Sequence, residues 1–424
     1  MDEIFGIKGQ ICFSKDLEHL EIAENGIVLC SRGKSLGVFE KLPEAYAHVP
    51  VKDYKDALII PGLIDLHVHA PQFVFRALGL DMELLEWLDV NTFPQEAKYA
   101  DPAYAKEAYS LIVEDMLKGP NTRAVMFATL HGESAEVLMD LVEQSGLVAY
   151  VGKVNMDRNA PDYLCEESAE ASAKATVAWL TRTKGKYQHV KPILTPRFIP
   201  SCSDQLMQKL QEIQETWDLP VQSHLSENIS EIQWVHELCP DTSCYGDAYA
   251  RYGMFGGRYP SIMAHCVHCP ENELDMIKNN GVYIAHCPQS NTNLSSGMAP
   301  VRKFLDMGLN VGLGSDVAGG YTTSILRAMA DAIGVSKLYW RTVDASAKPL
   351  CLEEVFYLGT KGGGAFFGKV GSFEKDYEFD AVVIDDSQYH KCIDLSVKQR
   401  LERAIYLSDD RHICAKYVQG RQLF

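Results

Sequence analysis

Basic residues are scarce in this sequence of 424 residues. Its 40 Lys and Arg stand against 57 Asp and Glu, which gives a formal net charge of −17 when the histidines are neutral. An acidic surface repels the phosphates of nucleic acids and of anionic membranes, and no stripe of Lys and Arg compensates for it. We therefore expect no nucleic-acid partner and no membrane partner, whereas small neutral substrates stay open.

Long apolar runs are also lacking. Residues 57–64 form one of the longest, yet Pro61 and Gly62 interrupt it, and a transmembrane helix needs about 20 residues. The amino-terminal sequence MDEIFGIKGQ is acidic and has neither the basic nor the apolar region of a secretory signal. These features predict a cytoplasmic protein without a membrane span.

The cysteine pattern of a disulfide scaffold is missing too. Twelve cysteines are scattered along the chain, and several stand singly within apolar segments, namely Cys12, Cys30, Cys287, Cys351 and Cys414. In a chain of this length such a distribution is typical of buried thiols. We expect them to be free, which agrees with a reducing cytoplasm.

A glycine-rich phosphate turn, which marks many open doubly wound sheets, does not follow the first strand-like run. The central region instead has eight apolar runs of β type that alternate with segments of helical period. These runs span residues 58–70, 123–131, 147–156, 191–199, 219–224, 261–266, 281–287 and 310–316. Eight such units match a closed parallel (β/α)8 barrel, or TIM barrel, for which about 250 residues is typical.

The two ends of the chain differ from this central region. Short alternating β segments occupy residues 1–57 and again residues 366–424, and no long helix is expected after Gly364. Two β-rich ends around a barrel predict a small β-sandwich assembled from both termini. We therefore predict an α/β fold, with a composite sandwich of residues 1–57 and 366–424 and a barrel of residues 58–365.

His67 and His69 are the first candidate functional residues. At positions i and i+2 of a strand, both imidazoles point to the same face, where they can hold a metal ion. An isolated pair of this kind is more often a satisfied pair in a core. This pair, however, ends the first strand of the predicted barrel, at the face where active sites of that fold lie, so its position favours a metal site.

Other strand ends carry the remaining candidates. The fifth run ends at His224 and is followed by Glu227. The sixth run ends at His265, and the eighth ends at Asp316. Chance would rarely place four histidines, a glutamate and an aspartate at the carboxyl ends of four strands. Three imidazoles and a carboxylate suit a zinc-like ion that keeps one position for water.

The chain resembles guanine deaminases of the amidohydrolase superfamily in six segments, which are PGLIDLHVHAPQF, TPRF, QSHLSEN, MAHCVH, AHCPQSNTNLSSG and GLGSDVAGG. The similarity runs from Pro61 to about Leu338 and includes LLEWL at residues 84–88. The HxH, HxxE and SD elements are common to a broader group of deaminases and chlorohydrolases. Gln72 after HxHAP and the pair Arg197-Phe198 make the resemblance specific to guanine.

The resemblance implies a role for each site residue. The implied metal ligands are His67, His69, His224 and Asp316. The implied catalytic residues are Glu227 as proton shuttle, His265 as the group that orients hydroxide and stabilises the oxyanion, and Asp316. The implied substrate-binding residues are Gln72, Arg197, Phe198, His224, Glu227 and Asp316.

The resemblance also bears on the metal. Binuclear relatives bridge two ions through a modified lysine on strand four, and the end of that strand here, Thr195-Pro196-Arg197-Phe198, has no lysine. One Zn²⁺ per subunit is therefore implied, with Fe²⁺ as the alternative because both ions accept imidazole and carboxylate. A homodimer is implied as well.

Deamination of guanine can also be argued from chemistry. Zinc lowers the pKa of bound water from 15.7 to about 7, and the resulting hydroxide can attack C2 of the base. The attack pushes electrons onto N3, where Glu227 can deliver a proton before serving the leaving amine. Asp316 can take the proton of the hydroxide while His265 stabilises the oxyanion. The products would be xanthine and ammonia.

Recognition of the base follows similar logic. Guanine presents O6 and N7 as neighbouring acceptors, and a guanidinium is the commonest partner for such an edge, so Arg197 is the candidate for the oxo group. Gln72 can both donate and accept on the N3 and N2 side of the base. Phe198 can stack on the ring or offer its backbone amide.

Several alternatives stay open at this point. A related deaminase or chlorohydrolase would act on 8-oxoguanine, another purine or a triazine, and a non-catalytic scaffold would keep only the barrel. The segment His131-Gly132-Glu133 together with Cys266 and Cys269 imitates the H-x-E and C-x-x-C signature of another zinc deaminase class, although the two halves are far apart. His286 is expected to be structural, and His131 to be either structural or a support of the site.

Overall fold

The structure is a computed structural model that describes residues 4–389 and 392–424. Its strands are β1 (Phe5–Ser14), β2 (Leu20–Ser31), β3 (Lys34–Phe39), β4 (Val51–Pro61), β5 (Leu63–His69), β6 (Asn121–Phe127), β7 (Val148–Gly152), β8 (Val154–Asn155), β9 (Val190–Pro192), β10 (Thr195–Pro196), β11 (Val221–Leu225), β12 (Ser261–His265), β13 (Tyr283–His286), β14 (Asn310–Leu313), β15 (Ala381–Ile384), β16 (Ile413–Val418) and β17 (Arg421–Gln422).

Helices alternate with the strands of the central region. They are α1 (Leu84–Trp87), α2 (Phe93–Glu96), α3 (Pro102–Lys118), α4 (Gly132–Ser145), α5 (Ala169–Thr183), α6 (Asp204–Trp217), α7 (Ile229–Leu238), α8 (Tyr245–Ala250), α9 (Glu271–Asn280), α10 (Pro288–Asn293), α11 (Val301–Asp306), α12 (Ile325–Thr342), α13 (Leu352–Tyr357) and α14 (Val397–Leu407). The alternation confirms the predicted α/β content.

Each of the eight predicted runs contains a strand, but the first run was drawn too long. Residues 58–61 belong to β4, which pairs with strands from the chain ends, and β5 begins only at Leu63. Gly62 separates the two strands, and a Cβ at this position would lie 2.2 Å from Oγ1 of Thr122. The third and fourth runs each divide into two strands, β7 with β8 and β9 with β10.

Two parallel four-stranded sheets form the central region, in the orders β5-β6-β7-β9 and β11-β12-β13-β14. Backbone contacts connect them on both sides. Leu194, just after β9, forms a parallel bridge with Val221 of β11. Beyond β14, the N–H of Asp316 donates to the carbonyl of His67 at 2.8 Å. The carboxyl ends of these strands therefore meet at one face.

Asp65 ties β5 to the segment that follows β14. Its Oδ1 accepts hydrogen bonds from the N–H of His67 at 3.2 Å and of Ser315 at 3.0 Å, and its Oδ2 accepts one from Oγ of Ser315 at 2.5 Å. Burial raises the pKa of Asp65 to about 7, although these hydrogen bonds oppose the shift. The hydrogen bonds offset the cost of placing a carboxyl group in the interior.

Strands from both ends of the chain form a single seven-stranded sheet, in the order β17-β16-β15-β4-β1-β2-β3. Within the described ranges the two ends thus share one sheet, and the predicted two-layer sandwich is not confirmed. The expectation of no long helix after Gly364 is wrong, because α14 spans 11 residues. The sequence does contain its signals, a cap at Ser396 and buried side chains with helical spacing at Val397, Leu401, Ala404 and Ile405.

A buried ion pair joins this terminal sheet to the central region. Arg123 of β6 donates from Nε to Oδ2 of Asp380 and from Nη2 to Oε2 of Glu378, each at 2.6 Å. Arg123 and Asp380 are almost fully buried. Removing one partner of such a pair leaves an uncompensated buried charge, so the two regions depend on each other.

Lys416 makes a second connection of this kind, without a carboxylate partner. It lies in β16, is fully buried, and donates from Nζ to the carbonyls of Met116 at 2.7 Å and Asn121 at 2.9 Å. Burial lowers the pKa of Lys416 from 10.5 to about 7, and the charge of Asp115 opposes this only in part. A neutral amine has two N–H groups, which match the two carbonyls.

The described cysteines are free thiols. Cys12, Cys30 and Cys287 are buried as predicted, whereas Cys351 is half-buried and Cys414 is exposed. Cys414 points away from the face that Ile413 and Ala415 of β16 bury. None of the helices in the described ranges is long and apolar enough to cross a membrane.

The lowered pKa of Lys416 predicts a pH dependence of stability. Between pH about 7 and 10.5 the unfolded chain holds a proton on this lysine that the folded chain lacks, so the group makes the free energy of unfolding rise with pH. We expect Lys416→Met to remove a slope of up to about 1.4 kcal/mol per pH unit. Urea unfolding of both proteins at pH 7, 8 and 9 measures it, and equal slopes would refute the assignment.

Candidate active site

Four predicted metal ligands, which we call the metal set, come together at the carboxyl ends of the strands. His67 and His69 extend from β5, His224 from β11, and Asp316 from the segment after β14. Nε2 of His69 lies 3.1 Å from Nε2 of His224, and Oδ1 of Asp316 lies 3.2 Å from Nε2 of His67 and 3.5 Å from Nε2 of His69. Strands far apart in sequence thus supply one cluster.

The donor set fits a metal ion. Burial lowers the pKa of His69 and His224, so both imidazoles are neutral and can act as ligands. His224 donates from Nδ1 to the carbonyl of Arg197 at 2.6 Å, which leaves a lone pair on the Nε2 that faces His69. Both ring nitrogens of His67 are buried without a hydrogen-bond partner. A cation among these side chains would bind one of the two nitrogens, and three imidazoles with a carboxylate suit Zn²⁺ or Fe²⁺.

Asp316 is held ionised by its surroundings. Burial alone would raise the pKa of its carboxyl group, but His67, His265 and His69 hold it well below its usual range. Its backbone is left-handed, with φ of 44°, and that of His265 is left-handed as well, with φ of 75°. Such conformations cost about 1–3 kcal/mol each in non-glycine residues and are concentrated at functional sites.

Glu227 lies beside the metal set, in the segment after β11. Its Oε1 accepts a hydrogen bond from Oγ of Ser296 at 3.0 Å, and its Oε2 lies 3.4 Å from Nε2 of His265. Burial and the charge of Asp316 raise the pKa of Glu227 to about 8. This carboxyl group is therefore suited to hold and release a proton near neutral pH.

His265 is oriented by a residue that the sequence analysis did not single out. Its Nδ1 donates to Oδ1 of Asn291 at 2.8 Å, so Nε2 faces both Glu227 and Asp316, 3.8 Å from Oδ2 of the latter. Asn291 and Ser296 both belong to the segment AHCPQSNTNLSSG, which contributed to the resemblance without an assigned role. In the sequence, the polar residues of that segment were the feature that could have indicated a supporting role for Asn291 and Ser296.

The predicted recognition residues lie next to the metal set, and the carboxylate of Glu96 binds both Gln72 and Arg197. Arg197 donates from Nη1 to Oε2 of Glu96 at 2.6 Å and from Nη2 to Oε1 at 3.2 Å. Gln72 donates from Nε2 to the same Oε1 at 2.9 Å and accepts from the N–H of Ala318 at 3.1 Å. Glu96, only 2% exposed, was missed because nothing in its sequence environment distinguishes it from a surface carboxylate.

A cavity of about 450 Å³ opens above the metal set. The sequence-predicted residues that line it are His69, Gln72, Arg197, Phe198, His224, Glu227, His265 and Asp316. Its apolar wall includes Leu84, Trp87 and Leu88 of the LLEWL segment, together with Leu294. Phe198 also contacts Trp234 edge-on, with ring centroids 6.1 Å apart. An apolar wall with a few convergent polar groups suits a flat, polar-edged ring.

The segment His131-Gly132-Glu133 and the cysteines Cys266 and Cys269, which imitate the signature of another zinc deaminase class, do not form a metal site within the described residues. Among the residues that the structure describes, the groups of three potential ligands within 4.8 Å of one another contain only His67, His69, His224, His265 and Asp316. The thiol of Cys266 donates to the carbonyl of Met263. His286 is buried at the end of β13 and stays outside these groups.

Known proteins match the chain over nearly its whole length. The amidohydrolase family matches residues 58–423. A guanine deaminase of Dictyostelium discoideum is 39% identical over 381 residues, covering 88% of this chain and 84% of that protein. A probable guanine deaminase of Schizosaccharomyces pombe is 39% identical over 374 residues, covering 86% and 71%. The crystal structure of guanine deaminase from C. acetobutylicum with guanine bound in the active site has a TM-score of 0.97 at 45% identity, and each chain is covered to 100%.

Removal of one imidazole tests the metal set. We expect His67→Ala to lower the zinc content of the purified protein from about one equivalent per chain to less than about 0.1, because three ligands no longer close the site. Elemental analysis after dialysis against zinc measures this. His286→Ala is the matched control, since His286 is equally buried and also ends a strand. Equal zinc in both variants would refute the assignment.

Proposed function

Because the chain belongs to the amidohydrolase family and matches guanine deaminases along most of its length, we infer that it is a guanine deaminase, a hydrolase of cyclic amidine C–N bonds. It converts guanine and water to xanthine and ammonia. The observation that carries this conclusion is the cavity itself, in which Gln72 and Arg197 face a buried metal set beside Glu227. The complete metal and proton-transfer residues argue against a scaffold, and the comparisons favour guanine over 8-oxoguanine, other purines and triazines.

The proposal also covers the closed barrel, the domain boundaries, the cellular location and the oligomeric state. The contacts that join the two parallel sheets on both sides support a closed (β/α)8 barrel of residues 58–365. Residues 1–57 and 366–424 would form the second domain, around the shared seven-stranded sheet. Free thiols agree with a cytoplasmic location, and the family resemblance supports a homodimer.

The metal set would hold one Zn²⁺ per subunit, with Fe²⁺ as the alternative. When bound, such an ion supplies a nucleophile at neutral pH by lowering the pKa of water from 15.7 to about 7. The segment 195–198 contains no lysine that could bridge a second ion. Lys153, at the end of β7, is already engaged by Glu166 at 2.6 Å, which supports a mononuclear site.

Proton transfer is assigned to three residues of the chain. Asp316 accepts the proton of the attacking water, since its carboxyl group is ionised and its Oδ2 faces His265. His265, fixed by Asn291, orients the nucleophile and stabilises the developing oxyanion. Glu227 gives a proton to N3 of guanine, takes the remaining proton of the attacking water as its oxygen becomes the oxo group at C2, and passes that proton to the leaving amine. Ser296 holds the other oxygen of Glu227, so the carboxyl group keeps one face toward the base.

Base recognition is assigned to the polar and aromatic wall of the cavity. Arg197 donates to O6, Gln72 contacts the N3 and N2 side, and Phe198 packs against the ring. The metal ligand His224, together with Glu227 and Asp316, lies at the reacting edge. The backbone carbonyl of Arg197 also accepts a hydrogen bond from Nδ1 of His224, so one residue serves both the base and the metal set.

Replacement of the proton shuttle tests the mechanism. We expect Glu227→Gln to keep its metal while kcat with guanine falls by about 10²–10⁴-fold, because an amide cannot carry the proton to N3. Loss of guanine absorbance with formation of xanthine measures turnover, and elemental analysis measures the metal. Turnover close to that of the unaltered protein would contradict the role of Glu227. An inactive unaltered protein with metal bound would contradict the function itself.

A further inference from the structure

Glu96 is a buried carboxylate that lies behind the wall of the cavity. It is the last residue of α2, is 2% exposed, and follows the LLEWL segment after a π-helical turn at Leu88–Thr92. It does not line the cavity itself, whereas both of its hydrogen-bonded neighbours, Gln72 and Arg197, do. Any effect of Glu96 on a ligand must therefore pass through these two side chains.

The hydrogen bonds of Glu96 leave one orientation for the Gln72 amide. A carboxylate accepts only, so the Gln72 atom that faces Glu96 must be the nitrogen. The backbone N–H of Ala318 donates only, so the atom that faces it must be the oxygen. One N–H and one lone pair of Gln72 remain for a ligand. Without Glu96 only the N–H of Ala318 would specify which end of the amide is the donor, and the Nε2 end would be held by no carboxylate.

The guanidinium of Arg197 is fixed in the same way. Two of its five N–H groups bind the two oxygens of Glu96, which sets the plane of the group. The other N–H groups of Arg197 stay available as donors. The carboxylate of Glu96 compensates the charge of the guanidinium, so a neutral base can bind beside it without burying an unpaired charge. The wall formed by Gln72 and Arg197 is therefore rich in donors and suits an acceptor edge such as that of a 6-oxo purine.

We propose that Glu96 is the positioning residue that makes the site specific for purines with an oxo group at C6. The inference rests on the proposed function and concerns how that same site selects its base. An amine at C6 would turn N–H groups toward the N–H groups of Arg197 and leave them unpaired in the interior. Sites built on buried hydrogen bonds discriminate strongly for this reason.

The test compares guanine with 2,6-diaminopurine, which has the same reacting amine at C2 and an amine in place of O6. In Glu96→Gln the new amide carries no charge and can donate as well as accept, so Gln72 is oriented by the N–H of Ala318 alone and Arg197 loses its charged partner. We expect KM for guanine to rise roughly 10- to 100-fold. We expect kcat to change less, because Glu227 and His265 do not contact Glu96. The preference for guanine over 2,6-diaminopurine should fall at least about tenfold.

Two further variants separate positioning from general stability. Glu96→Asp keeps the charge and should recover part of the preference. Glu354→Gln is the matched control, since Glu354 is buried and accepts from Arg302 at 2.7 Å, outside the residues that line the cavity. It should leave KM and the preference unchanged. Zinc content should be the same in all three variants.

The results that overturn the role of Glu96 differ from those that overturn the proposed function. An unchanged KM and an unchanged preference in Glu96→Gln would overturn the proposal, as would a loss of thermal stability with both parameters intact. If Glu96→Gln does not fold, the same parameters in Glu96→Asp decide. If the unaltered protein deaminates neither base, the proposed function fails. Calorimetric binding of hypoxanthine against adenine to the unaltered protein and Glu96→Gln then still decides the role of Glu96, because equal selectivity in both would overturn it.

Discussion

The Asp65 carboxyl group holds together the parts of the chain on which the site depends. It accepts hydrogen bonds from the backbone of His67 and from both the backbone and the side chain of Ser315. His67 is a proposed metal ligand, and Ser315 precedes another, Asp316. One buried group thus fixes the distance between ligands that are about 250 positions apart in the chain. The cost of burying this group is offset only while both partners remain in place.

Around the cavity, too, a few residues orient the important side chains through hydrogen bonds. Arg197 orients His224 through its backbone and faces the cavity through its side chain. Asn291 and Ser296, from one segment, orient His265 and Glu227. Because each of these groups is hydrogen-bonded to a buried neighbour, the groups are positioned before a substrate arrives, which is how buried polar sites favour a transition state.

Much of this arrangement could be predicted from the sequence. Hydrophobic periodicity found the eight central strand regions, and the residue types at their carboxyl ends identified the cluster that the structure brings together. Glu96, Asn291 and Ser296 escaped because they act only through hydrogen bonds whose partners are distant in sequence. The start of the first run was misplaced because Leu58–Pro61 is as apolar as β5, although it pairs in another sheet. Lys416 could not be recognised as buried, since only the fold supplies the carbonyls that accept its N–H groups.

The shared terminal sheet has a consequence for how the chain is made. Strand β4 lies between β1 and β15, and its partner β15 begins only at Ala381. A ribosome releases the amino-terminal strands and the whole central region before it releases β15, so one edge of β4 has no native partner during most of translation. Unpaired strand edges are templates for pairing with other chains. The final tenth of the polypeptide therefore covers the open edge of β4, and a product truncated before β15 would expose that edge permanently.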